Sequence, residues 1–308
     1  MPTPREIHRH IKSVKNIQQI TKAMKMVAAA RLRRAQEKAA SSRPFSEKVK
    51  ELLATAVADK ATMSNLDYAE HPLLMERPVK RSGYIVVSSD KGLAGAYNTN
   101  LLKHALVELM DQDDYLLVTV GRKAKDFFSR RGFDIEEVFF GFSDKPGYED
   151  ADDIAHLAKK LFTTGDVDEV ILIYTQFKSA LSFTPVSKKL LPVVPPSPVN
   201  EAKLDYEPFD GEDVRPVMQE SEISDVIFEP SANETLKYLV PYYVKNITYA
   251  ALMQAAASEL GARMTAMSSA TDNANDLLKS LELSYNKARQ AGITREINEI
   301  VGGAEALQ

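Results

Sequence analysis

Each end of the chain carries one unbroken helical pattern, far longer than a compact domain can bury, and this constrains the fold more than any other feature. In residues 4–58, Ile7, Ile11, Val14, Ile17, Ile20, Met24 and Val27 follow at steps of three or four and draw one apolar stripe. Pro4 suits a first helical turn, Thr3 suits the N-cap before it, and Pro44 is an interior breaker. In residues 232–304 a second stripe runs through Leu236, Leu239, Tyr243, Ile247, Ala250, Leu260, Met264, Met267, Ala270, Ala274, Leu277, Leu281, Tyr285 and Ala288. Ile293, Ile297 and Ile300 extend it, Pro241 marks a kink, and Gly302-Gly303 ends it. At about 1.5 Å per residue these helices would run roughly 80 Å and roughly 100 Å, whereas helices in globular proteins average about 11–12 residues. Stripes of such length cannot be laid on a compact core. The two helices need each other, so an antiparallel coiled coil of the termini is the economical fold. Threes and fours mix without a leucine heptad, which predicts an irregular supercoil.

The middle of the chain has another texture. "RSGYIVVSS" (81–89), "DYLLVTVG" (114–121), "EVFFGF" (137–142) and "DEVILIYTQF" (168–177) are short β-branched and aromatic runs. Helical patterns at Thr99–Met110, Arg122–Arg131 and Asp150–Phe162 alternate with them, and residues 179–193 offer one more strand. Such alternation predicts an α/β domain with mainly parallel strands and helices on its faces. Residues 195–225 are rich in Pro and acid, with little periodicity, and read as a long surface loop. The expected domains are 1–60 and 231–308, the two coiled-coil helices, and 61–230, the α/β domain with its acidic loop.

Composition sets the class. The 308 residues are 44% hydrophobic and 27% charged, as in soluble globular proteins. No run of about 18 apolar residues predicts a membrane span. The N-terminal "MPTPREIHRHIKSVK" has no apolar core of a secretory signal. Its basic, amphipathic character weakly resembles a transit peptide, but it merges into the periodic helix and reads as mature protein. There is no cysteine, hence no disulfide, thiolate zinc site or thiol switch. The net charge of −4 hides an asymmetry. Residues 1–60 hold 14 Lys and Arg against 5 acids, and residues 201–229 hold 10 acids against 2 Lys and Arg. In "ITKAMKMVAAARLRRAQEKA" (20–39) the polar positions are nearly all basic and the apolar ones small or flexible. That surface, with Lys12, Lys15, Lys22, Lys25, Arg31, Arg33 and Arg34, suits either nucleic-acid phosphates or an acidic protein. Against nucleic acid stand the spread of the charges around the helix and the lack of aromatic residues beside them.

Motifs of catalysis are incomplete in this chain. "VVSSDKGLAGAYNTNLL" (86–102) is strand, turn and helix, and a helix N-terminus there would suit a phosphate. Yet it holds neither G-x-G-x-x-G nor G-x-x-x-x-G-K-[ST], so Gly92 and Gly95 are assigned to the turn. Gly141-Phe142-Ser143 lacks the second glycine of a nucleophile elbow. None of His8, His10, His71, His104 and His156 has metal-ligand spacing to another. Glu149, Asp150, Asp152 and Asp153 suit the start of a helix dipole. The residues assemble no catalytic constellation, no metal site and no cofactor site.

Three long stretches then carry a resemblance. "REIHRHIKSVKNIQQITKAMKMVAAARLRRAQ", "GYIVVSSDKGLAGAYNTNL" and "SELGARMTAMSSATDNANDLLKSLELSYNKARQAGITREINEIVGGAEAL" resemble the γ subunit of F-type ATP synthases, from end to end and in order. The resemblance implies a rotor shaft. Its terminal helices form an antiparallel coiled coil inside a ring of three α and three β subunits. Its Rossmann-like middle domain binds no nucleotide and meets the ε subunit and the membrane c-ring. Ion flow turns the c-ring, and the shaft drives ATP synthesis, or runs in reverse on hydrolysis. Catalysis lies on β, with no catalytic residue and no cofactor on this chain. The implied partners are the α, β and ε subunits and the c-ring, with one copy of the chain per complex, no nucleic acid and no direct membrane insertion. The implied place is peripheral, on the cytoplasmic face of a bacterial cell membrane.

Position by position, the resemblance implies that Met24 and Lys25 face an acidic loop of β, and that Arg289 and Gln290 hydrogen-bond a catch loop of β. It implies that Val226, Phe228 and Glu229 form a foot on the c-ring and ε. Coiled-coil packing is expected of Ile7, Ile11, Val14, Ile20, Met264, Met267 and Leu281, and Met24 fits packing as readily as coupling. Only the narrow stripe of Ile20, Met24 and Val27 is expected to touch the partner helix in its stretch. Residues 195–225 look longer and more acidic than the common form of this connection. With no cysteine, the redox switch of chloroplast members is excluded.

Overall fold

A computed structural model describes residues 3–58, 70–112, 114–194, 228–229 and 231–305. The acidic loop 195–225 and Val226 lie outside the described residues. The elements are α1 (Pro4–Ala58), a 3-10 turn (Pro72–Leu74), β1 (Ser82–Val87), α2 (Tyr97–Met110), β2 (Tyr115–Val120), α3 (Arg122–Ser129), β3 (Glu137–Phe139), α4 (Tyr148–Thr164), β4 (Glu169–Ser179), β5 (Ser182–Leu191) and α5 (Ala232–Glu305). They divide into two compact units, Met1–Ala28 with Arg263–Gln308, and Ala29–Ala262. Each long helix contributes to both.

The second unit is built on a five-stranded sheet in the order β3-β2-β1-β4-β5. β1 through β4 are parallel, and β5 returns antiparallel to β4 across a tight turn at Ala180–Leu181. The inner parallel strands β1 and β2 are buried on both faces, which explains their continuous apolar runs, whereas the parallel edge strand β3 is exposed or half-buried along its length. In β1, Tyr84 and Val86 point to one face and pack with Leu101, Leu109, Ala124 and Phe128 of α2 and α3. Ile85 and Val87 point to the other face and join Ile154 and Phe162 of α4 with Leu53 of α1 and Val244 and Leu252 of α5. The long helices therefore close the second layer of this core. Edge strand β5 reads differently because only one face is covered. It alternates, carries Pro185, and exposes Lys189 while Lys188 is half-buried.

The first unit is an antiparallel helix pair. Gln18 bonds Asn275, Thr21 bonds Thr271, Lys25 bonds Ser268, and the His8 ring meets Tyr285 at 5.9 Å. As the position rises on α1 it falls on α5, which fixes the direction. Burial on α5 marks Met264, Met267, Thr271, Ala274, Leu278, Leu281, Tyr285 and Ala288, an unbroken alternation of threes and fours. On α1 it marks Ile7, Ile11, Val14, Gln18, Thr21 and then Ala28. On α5 this is the 3.5-residue period of a left-handed supercoil; on α1 the step from Thr21 to Ala28 passes the half-buried Met24 and the exposed Lys25, where the alternation breaks. The period is hidden in the sequence because several seam positions are polar or small.

That finding corrects one packing expectation. Ile20 is 58% exposed, and Ile17 and Val27 are exposed beside it, while Thr21 is 8% exposed. Two successive steps of three, Val14 to Ile17 to Ile20, walk off the seam. At 100° per residue Ile20 lies about 140° around the helix from Ile7. Leu277 is exposed for the same reason, with Leu278 taking its place. Ile293, Ile297 and Ile300 are exposed as well. They follow the stretch where α5 faces residues as early as His8, and α1 begins at Pro4.

Candidate functional site

In open parallel sheets, ligands bind outside the carboxyl ends of the strands where the strand order reverses. Here that crevice lies between β1 and β4, and α5 occupies it. Gln254 Oε1 accepts from the Phe177 amide at 2.8 Å, and Ser258 Oγ donates to the Thr175 carbonyl at 3.1 Å. Leu252, Ala255 and Glu259 of α5 stand against Val87 and Ser88 at the end of β1. The remaining cavity is about 10 Å³, no more than one water needs. Gly261 lets the helix come in: a Cβ there would stand 3.3 Å from the Phe177 ring and 3.4 Å from the Ala180 backbone.

The "SSDKGLAGAYN" stretch shows what replaces a phosphate. The Asp90 carboxylate accepts from the amides of Arg122, Gly141 and Ser143 at 3.1, 2.8 and 3.3 Å. A helix N-terminus and two loop amides of the kind that cradle phosphate thus hold an internal anion. Ser88 Oγ accepts from Ala124 N at 2.8 Å and donates to the Val120 carbonyl at 3.0 Å, while Ser89 bonds Asn98. The motif ties the carboxyl ends of β1, β2 and β3 together. Gly121 is its tightest point, with φ +91° and the Ser88 carbonyl oxygen 2.4 Å from where a Cβ would be. Gly95 turns the chain at φ +55°, and Leu93 adopts φ +61° with its side chain exposed.

Beyond this loop the motif delivers Lys91 to Asp144, which also pairs with Arg31 of α1. Burial opposes the charge on Asp144, but Lys91 and Arg31 outweigh it and hold the carboxyl below the usual aspartate range. Arg34, Lys38 and Lys145 complete the walls of a cleft of about 400 Å³ there. The sequence singled out Arg31 and Arg34 but not Lys91, Asp144 or Lys145, which only the fold brings beside α1. Among the described residues no group of His, Asp and Glu is arranged to hold a metal, and no helix is long and apolar enough to cross a membrane.

Met24 is half-buried at the seam margin, and Lys25 is exposed with its Nζ 2.9 Å from Ser268 Oγ. Arg289 and Gln290 are exposed on α5. The exposed Ile17, Ile20, Met26 and Val27 on α1, and Ile293, Ile297, Ile300 and Val301 on α5, add apolar surface to the helix pair. Phe228 packs partly on the main core, and Glu229 is exposed. The helix-pair and foot positions lie on different units.

A family model described as ATP synthase matches residues 3–307. An ATP synthase gamma chain of Desulfitobacterium hafniense is 44% identical over 309 residues, covering all of both chains. One of Heliobacterium modesticaldum is 45% identical over 307 residues, again covering all of both. Among solved structures, a chain of the Euglena gracilis mitochondrial ATP synthase matches with a TM-score of 0.61 at 18% identity, covering 99% of this chain and 94% of that one. A chain of the central stalk and c-ring structure from Tetrahymena thermophila matches with a TM-score of 0.55 at 24% identity, covering 82% and 99%. These two likenesses are of fold.

Proposed function

This chain belongs to the ATP synthase gamma-chain family, and from that membership we propose that it works as the central rotor shaft of an F-type ATP synthase, coupling ion-driven rotation to ATP synthesis or hydrolysis on other subunits. The filled switch-point crevice supports a shaft that leaves the chemistry to β. The antiparallel helix pair supplies a stiff element with exposed apolar and basic surface. A shaft acts only by favouring different partner conformations at different angles, through unequal contacts. Small and flexible residues such as Ala23, Met24, Met26 and Ala30 suit a surface that passes three partners without locking to one.

Met24 and Lys25 bear on an acidic loop of β, and Arg289 and Gln290 bear on a second loop of β. Phe228 and Glu229, with Val226, belong to the foot on ε and the c-ring. One copy turns within three α and three β subunits, peripheral on the cytoplasmic face of a bacterial cell membrane. The basic face of α1 meets acidic protein there.

Purification of the tagged chain from its own cells tests the assembly. The α, β and ε subunits are expected with it in stoichiometric amounts, and their absence sinks the reading. In the reconstituted complex, Met24→Lys is expected to reduce ion pumping per ATP hydrolysed while the isolated chain keeps its unfolding midpoint. Equal losses in assembly and stability would reduce Met24 to packing.

A further inference from the structure

Within the second unit, α1 and α5 leave a cleft of about 100 Å³ beside β4 and β5. Its apolar wall is formed by Tyr174, Tyr243, Tyr249 and Met253, all buried. Asn246 lines it and is 6% exposed. The Asn246 Oδ1 end faces the Tyr148 hydroxyl at 3.5 Å, while Nδ2 has no acceptor among the described residues. A buried amide of that kind calls for an acceptor, because its desolvation is otherwise uncompensated. Lys50 also lines the cleft, half-buried and with no ion pair among the described residues. The other charged lining groups, Glu47 and Lys188, have interactions of their own.

We propose that this cleft binds a small aromatic acid, a single ring with a hydrogen-bond acceptor at one end and a carboxylate at the other. The cleft is small but open to solvent on one side, so a ring seats one edge in it, and tyrosine and methionine walls offer the edge and thioether contacts that aromatic ligands favour. Asn246 Nδ2 donates to the acceptor on the ring. The Lys50 ammonium takes the carboxylate. The proposal stands apart from the rotor reading, since it concerns the chain alone.

Titration calorimetry of the isolated full-length chain with 4-hydroxybenzoate tests it. One saturable site is expected, in the high-micromolar to millimolar range. Benzoate lacks the acceptor for Asn246 and phenol lacks the carboxylate for Lys50, so each is expected to bind at least about tenfold more weakly. Asn246→Leu removes the orphan amide without opening the core, and it should bring 4-hydroxybenzoate down to the affinity of benzoate. Lys50→Gln should bring it down to that of phenol and abolish its salt dependence. Far-ultraviolet circular dichroism confirms that both variants are folded. The proposal fails if 4-hydroxybenzoate shows no saturable uptake, or if both substitutions leave its affinity unchanged.

Discussion

Thr21 on α1 and Thr271 on α5 stand hydroxyl to hydroxyl, 2.8 Å apart, within the helix seam, while the neighbouring Ile20 looks outward. Each threonine also has a carbonyl of its own helix in reach, Gln18 O for Thr21 and Met267 O for Thr271. Together with Gln18 and Asn275 the pair makes a polar segment in the seam, and buried polar pairs of this kind set register.

The exchange of roles between Ile20 and Thr21 is directly measurable. Ile20→Lys should change the stability of the isolated chain by no more than about 0.5 kcal/mol, as exposed substitutions do. Thr21→Lys forces an ammonium into the seam and should cost about 2–4 kcal/mol. Urea unfolding of both variants separates the two positions, and an equal cost would place Ile20 in the seam after all.

Gly121 allows no side chain. A Cβ would lie 2.4 Å from the Ser88 carbonyl oxygen, on a residue already at φ +91°. Gly121→Ala should therefore destabilise by more than about 3 kcal/mol, with displacement of the β1 and β2 loop ends adding to the cost of the backbone conformation. Thermal unfolding checks it, and a midpoint within a degree of the parent contradicts the close approach.

The bond from the Phe177 amide to Gln254 invites a third test. Gln254→Leu keeps the volume but leaves a buried amide without its acceptor, at a cost of about 1–3 kcal/mol. Ser258→Ala loses a donor to a carbonyl and should cost about 1 kcal/mol. Because both substitutions loosen α5 from β4, hydrogen exchange at the Phe177 amide should quicken in each.

Acid should release the tie between α1 and the α/β unit's loops. Asp144 is held below its ordinary value, where Lys91 and Arg31 overcome the burial that opposes its charge. Its contribution is thus present above the unfolded aspartate value near about 3.9, and it is lost as pH falls through the lower folded value. Asp168 shifts the same way because it accepts from the Lys80 and Arg81 amides. Asp144→Asn should be less stable than the parent at neutral pH and should converge with it toward about pH 2. A constant gap between the two stability curves would show that Asp144 stays ionised throughout.

Periodicity exposed the two long helices and the strand–helix alternation, because both patterns run over many residues with few exceptions. It misjudged the seam at Ile17 and Ile20 because it counted apolar residues alone, while the packed positions there are Gln18 and Thr21. The charge of "RLRR" was plain in the sequence, but its companions Lys91 and Lys145 come from distant loops that only the tertiary fold gathers. Asp90 gave no sign of its role either. A lone acid in a turn looks solvated until the amides of Arg122, Gly141 and Ser143 are seen around it.

Pro44 and Pro241 have a mechanical consequence. Each proline removes one amide from the ladder of bonds that stiffens its helix, at the carbonyls of Ala40 and Lys237. The residues that follow them, Phe45 and Tyr242, meet ring to ring at 6.4 Å, so the two missing rungs flank one level of the same helix pair. Each helix lacks one backbone bond at that height, so its resistance to bending falls there. A strain applied to the long helices would concentrate there, as it does at the flexure of a machined coupling.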